Sequence, residues 1–187
     1  MTFTRALVVG EVPAGLLHAE RLPAPPGLLD SLGRASVDRI IEFGCCALPG
    51  DGPLLIVTDA DLTRRECQWL FGYADVPRAA VVVSTYRLAD PARPEALQAR
   101  LLNEIAHEAG HLRGLRHCSH ESCVMRPVTS AAELDSRPEF LCGNCGPKPW
   151  SARLRVAFAA MFLIAMVAAL NLLMPLAAGP RFAMPFT

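Results

Sequence analysis

Apolar residues fall along the first two thirds of the chain in two rhythms, compact runs and spaced stripes. Leu7-Val8-Val9 is compact and β-branched, which predicts a buried strand. Ala14 to Gly27 is Pro-rich and reads as a connection. Leu28, Leu32, Val37, Ile40 and Ile41 recur at near-helical spacing and predict a helix over 28–43. Leu54-Leu55-Ile56-Val57 predicts a second strand that ends in Thr58-Asp59, and Arg64 to Leu70 a turn or short strand. Ala79 to Ser84 carries the strongest strand pattern in the chain. Pro91 and Pro94 then punctuate the entry to a helix with an i, i+4 stripe of Leu97, Leu101, Ile105 and Ala109, widened by Leu102 and Ala106. Strand, helix, strand, strand, helix is an α/β (α+β) arrangement.

The last apolar block differs in kind. Val156 to Leu173 carries no charge, with Arg153 and Arg155 before it and Arg181 after it. With Leu154 and Met174 to Leu176 the stretch is about 20 residues, enough to cross the hydrocarbon core as a helix. The alternative is a buried core helix, but a helix apolar all round needs burial on every side. The expected organisation is a folded domain over 1–149, a transmembrane helix over 154–176 and a short tail over 177–187. Lys148, Arg153 and Arg155 outnumber Arg181, so a single-pass C-terminal anchor with the 1–149 domain on the cytoplasmic side is expected.

Composition narrows the field. Eighteen basic and eighteen acidic side chains give no net charge, so nucleic acid is not an expected partner. The 52% hydrophobic share exceeds that of an ordinary soluble domain, and the excess sits in the C-terminal block. The N-terminal run Ala6 to Val9 is too short for a signal-peptide core. No internal repeat is present, and the sequence leaves the oligomeric state open.

The chemistry lies in residues 107–117, HEAGHLRGLRH. His107 and His111 sit one helical turn apart on one face, off the apolar stripe, where two imidazoles can grip a single Zn²⁺. Gly114 takes positive φ without a Cβ penalty, so the chain breaks out of the helix and His117 swings back as the third ligand. The fourth position stays open for water, with Glu108 beside it as general base.

Four of the seven cysteines follow closely: Cys118, Cys123, Cys142 and Cys145. Thiolates so spaced suit a closed tetrahedral structural zinc, giving two zinc ions per chain. Two disulfides are the alternative, and they require an oxidising compartment. His120 is a further candidate ligand there. Cys45, Cys46 and Cys67 have no partner pattern and are expected to be small buried hydrophobes. Tyr73 and Tyr86 are candidate oxyanion donors or packing residues, and Asp59 with Asp61 a candidate carboxylate pair or turn formers.

The run from His107 to Cys145 resembles the archaemetzincin branch of the metzincin metalloproteases, in which a cysteine directly follows the third histidine. The C-x₄-C-x-M segment is Cys118 to Met125, and the closing C-x-x-C is Cys142 to Cys145. The Met125–Cys142 spacer is one residue shorter than the family pattern, a change a loop absorbs. Upstream, 58–62, 71–74 and 84–88 are also similar, so the likeness covers about residues 3–147. It implies a metzincin-like zincin domain with a mixed sheet and an active-site helix. It also implies that Met125 underlies the zinc site without binding it, and that an edge strand, Ala79–Ser84 or the Phe71 segment, pairs with an extended peptide or protein substrate. The expected function is zinc-dependent peptide hydrolysis, in amino- or endopeptidase mode. Rival readings are a non-catalytic, membrane-anchored peptide-binding zinc module and a cysteine-based redox sensor.

Overall fold

The computed structural model describes residues 2–65 and 67–146. The expected transmembrane helix over 154–176 and the tail lie outside the described residues. Among the described residues no helix is long and apolar enough to cross a membrane. Residues Met1–Gly146 form one compact unit.

Strand β1 (Arg5–Val9) begins the chain, followed by the short β2 (Glu20–Leu22) and β3 (Arg34–Ser36) and by helix α1 (Val37–Ala47). Then come β4 (Leu54–Thr58), β5 (Asp61–Arg64), β6 (Cys67–Leu70), β7 (Gly72–Asp75) and β8 (Ala80–Ser84). Helices α2 (Ala96–Leu112) and α3 (Ala131–Ser136) complete the set. The main sheet has the order β2-β1-β4-β8-β7. It is mixed: β2, β1, β4 and β8 run parallel, and β7 is antiparallel to β8. A second sheet has the order β3-β5-β6.

The run-like strands are those buried on both faces, as strands sandwiched between helices must be. Leu7, Val9, Leu54, Ile56, Ala80 and Val82 face α1, where Ile40 and Ile41 meet them. Val8, Leu55, Val57, Val81 and Val83 face α2, where Leu97 and Leu101 meet them.

The expected helix over 28–43 starts nine residues late. The Asp30 carboxylate accepts the N–H groups of Leu32 (2.8 Å) and Arg34 (2.9 Å), and Gly33 sits at φ +72°. That local turn competes with helix, and the chain makes β3 before α1 begins. Leu32 is left 69% exposed. Leu102 is likewise exposed, so it does not widen the buried stripe of α2. The Pro-rich connection holds β2. The expectation for the unpatterned cysteines is corrected for two of them: Cys46 and Cys67 are exposed, whereas Cys45 is half-buried and packs against the core.

Candidate metal centre

Helix α2 ends in a Schellman turn. Leu115 N–H donates to Gly110 C=O (3.0 Å) and Gly114 N–H to His111 C=O (2.9 Å), with Gly114 at φ +80°. The turn serves the site twice. It reverses the chain so that His117 returns towards the helix, and it aims the Leu115 carbonyl at His111, whose Nδ1–H donates to it at 2.8 Å. His107 Nδ1–H donates to the Val124 carbonyl at 2.8 Å. With both Nδ1 atoms occupied, the lone pairs of both rings lie on Nε2. Those two Nε2 atoms are 3.1 Å apart. Zn–N bonds of ~2.0–2.1 Å at a tetrahedral angle place the nitrogens ~3.3 Å apart, so the pair fits one zinc ion. His117 joins them: the three ligating nitrogens lie within 4.8 Å of one another.

The imidazoles are unequal. His107 is buried and His117 exposed. Burial, with Arg137, His111 and His117 adding repulsion, lowers the His107 pKa from 6.5 to about 3, although the Val124 carbonyl acts in the opposite sense. The ring is therefore neutral and ready for a metal at any physiological pH. Because the folded pKa lies below the unfolded one, this contribution to stability is complete above pH 6.5 and lost as pH falls towards 3. In metal-stripped protein the gap in unfolding free energy between wild type and His107→Gln is expected to shrink by about 5 kcal/mol across that window. Urea unfolding at stepped pH reads it, and a gap that does not change would refute the assignment.

Glu108 is buried, 5% exposed, against the first residue of β7: a Cβ on Gly72 would lie 2.9 Å from Glu108 Cγ and 3.1 Å from Oε1. Burial and the neighbouring Glu104 carboxylate push the Glu108 pKa well above the carboxylate range. Beneath the helix lies Met125, fully buried, its sulfur so close to Gly110 that a side chain there would overlap it.

The four expected cysteines also converge. Their sulfurs lie within 4.8 Å of one another, and Cys118 and Cys142 are 3.8 Å apart. A tetrahedral Zn–S₄ centre with ~2.3 Å bonds requires ~3.8 Å between sulfurs, whereas a disulfide requires ~2.05 Å. No disulfide joins any of the seven cysteines. Main-chain N–H groups of Cys145 and Asn144 hold Cys142 down to about 6, while burial pushes Cys145 up to about 12. His120 stands outside this cluster; it is exposed, and its Nδ1 accepts the Ser122 N–H.

The other candidates disperse. Both oxygens of Asp61 are taken by Arg87 (2.7 and 2.8 Å), so Asp59 and Asp61 form no carboxylate pair. Tyr73 packs on the α1 side of the sheet under Arg64, and Tyr86 is 57% exposed. Of the two expected edge strands, β8 is interior and β7, following Phe71, is the edge.

The chain matches the profile of Peptidase family M54 over residues 54–148, just over half its length. It is 33% identical over 133 residues to an archaemetzincin of Natronomonas pharaonis, covering 66% of this chain and 76% of that protein. The chain belongs to the archaemetzincin family of zinc metallopeptidases. An archaemetzincin of Archaeoglobus fulgidus is 37% identical over 101 residues, of which the match spans 62% of that protein. The crystal structure of the Methanopyrus kandleri archaemetzincin superposes with a TM-score of 0.65 at 26% identity, over 75% of this chain and 89% of that one. The match to the family profile begins at β4 and takes in both the histidine and the cysteine cluster.

Sequence reasoning missed one feature of the site. Asn103, Glu104 and Arg137 form a buried polar group next to His107 and Glu108. Polar residues at core positions leave no hydrophobic period. The only signal available was their i, i+4 spacing from the two motif residues, Asn103 to His107 and Glu104 to Glu108.

Proposed function

We propose that the chain hydrolyses peptide bonds with His107, His111 and His117 holding a catalytic zinc, Glu108 as general base, and Cys118, Cys123, Cys142 and Cys145 holding a second, structural zinc. The observation that carries this reading is the 3.1 Å approach of two Nε2 atoms whose Nδ1–H groups are both pinned to carbonyls, with a buried carboxyl at the next residue. When bound, zinc supplies the Lewis acidity that makes water a nucleophile near neutral pH and polarises a carbonyl. Glu108 takes a proton from the water as its oxygen bonds to the peptide carbon, then passes that proton to the leaving nitrogen as the C–N bond breaks. A carboxyl whose pKa is raised by burial is suited to holding that proton between the two transfers.

The edge strand supports an extended substrate. Ser84 N–H donates to the Phe71 carbonyl at 2.8 Å. Antiparallel alternation then turns the main-chain groups of Tyr73 and Asp75 to β8 and those of Gly72 and Ala74 outward. A peptide paired with Gly72 and Ala74 lies beside Glu108, because Gly72 has no side chain to intervene. The apolar sequence over 154–176 supports a C-terminal anchor that confines this activity to substrates near the cytoplasmic face of a membrane.

Intact protein in detergent, incubated with a peptide library and read by mass spectrometry, is expected to cleave. Cleavage should cease on chelation and return with zinc. Protein that holds both zinc ions and binds peptides without cutting them would replace the hydrolase reading with a binding module.

A further inference from the structure

The buried guanidinium of Arg137 has no part in the chemistry above, yet it touches the site from beneath. It follows α3, far from the motif in sequence, and its side chain is 1% exposed. Its Nη2 donates to Glu104, its Nε donates to Asn103 Oδ1 at 2.6 Å, and its Nη1 lies 3.2 Å from His107 Nδ1. The same Nη1 donates to the Arg126 carbonyl at 3.4 Å. Asn103 closes the ring by donating from Nδ2 to the Arg137 carbonyl at 2.9 Å.

We propose that Arg137 is a positioning residue for the metal centre, clamping the segment that carries Val124 and Met125 to the polar face of α2. Its acceptors on α2 are the adjacent Asn103 and Glu104, and Nη1 stops beside the metal ligand His107 without bonding to it, because the Nδ1–H there already donates to the Val124 carbonyl. The partner on the other side is the main chain directly after Met125, two residues beyond the carbonyl that fixes the His107 tautomer. Guanidinium geometry suits this task, with several donors held in one plane. The Val124 carbonyl is what orients the imidazole, and Arg137 acts on it by holding the main chain two residues further on; such outer-shell support typically governs metal affinity or activity by 10–100-fold. The inference rests on the three histidines binding metal, but not on peptide hydrolysis.

Arg137→Met removes the clamp but leaves Glu104 without its partner, so the single variant is expected to lose stability as well. Arg137→Met with Glu104→Gln removes both charges and is expected to melt close to wild type. The discriminating readout is metal affinity at the histidine site, from chelator competition and from the absorption of bound Co²⁺. Thiolate-to-cobalt charge transfer marks the cysteine site, so the two centres are read separately. The double variant is expected to bind the histidine-site ion about 10–100-fold more weakly with the cysteine site unchanged. An Arg137→Ala variant offers a second arm. A cavity of about 150 Å³ lined by Arg100, Asn103, Asp135 and Arg137 opens beside the guanidinium. Added guanidinium ion is therefore expected to restore part of the affinity. A double variant with wild-type melting and wild-type metal affinity would overturn the proposal, and so would an Arg137→Ala protein whose weakened affinity guanidinium fails to raise. Failure to cleave peptides would leave these affinities intact and count only against the hydrolase reading.

Discussion

Glu108→Gln is expected to lower kcat by about 10²–10⁴-fold while both zinc ions stay bound. The amide keeps the shape of the side chain and its place against Gly72, but it cannot accept the proton of the attacking water. None of the seven expected metal ligands is altered, so metal content serves as the internal control. Stability moves in the opposite direction to activity. Burial and Glu104 raise the folded-state pKa of Glu108, so its contribution to stability is complete below pH 4.5 and is lost as pH rises through the folded value. A neutral amide escapes that cost, and metal-free Glu108→Gln is expected to melt at or above the wild-type temperature near neutral pH. Single-turnover rates, zinc analysis and calorimetry on one preparation test all three statements. Wild-type rates in the variant would remove Glu108 from the mechanism.

The trade of stability for function explains what sequence reasoning reached. The strands were legible because β1, β4 and β8 are buried on both faces, and burial leaves an unbroken apolar run. The histidine and cysteine clusters were legible because the two helix histidines are one turn apart and the cysteines fall in two closely spaced pairs, with Gly114 in the conformation its position demands. The start of α1 was not, since the Asp30 turn overrides apolar residues that happen to fall at helical intervals. The polar underside of α2 was not legible for a related reason. Its members are polar, and a polar or charged residue on a helix reads as solvent-facing until a partner distant in sequence appears. Arg137, 33 residues from Glu104, is that partner, and only the folded chain brings the two together.

Cys123→Ser is expected to eject the second zinc and to weaken the first. Cys123 is fully buried at the centre of a small cluster with Val124, Met125 and Cys142. Replacing one thiolate by a hydroxyl removes the soft donor zinc favours and leaves three thiols without an ion. Structural zinc contributes about 10–16 kcal/mol to the folding of isolated zinc-finger peptides, and a domain with its own hydrophobic core is expected to lose only part of that. The loss should still appear as a lower melting temperature and a zinc content near one per chain. The effect reaches the histidine site through one residue: the Val124 carbonyl, adjacent to Cys123, holds the His107 imidazole, and the Val124 N–H is itself held by the Phe140 carbonyl at 2.8 Å. Freeing that loop should therefore raise the dissociation constant of the remaining zinc, as measured by chelator competition. The same experiment separates zinc from disulfides. Sulfurs 3.8 Å apart are too distant for an S–S bond, so mild reductant should leave wild-type stability unchanged while a chelator lowers it. Protein that melts on reduction but tolerates chelation would show that the cysteines are oxidised in pairs and hold no metal.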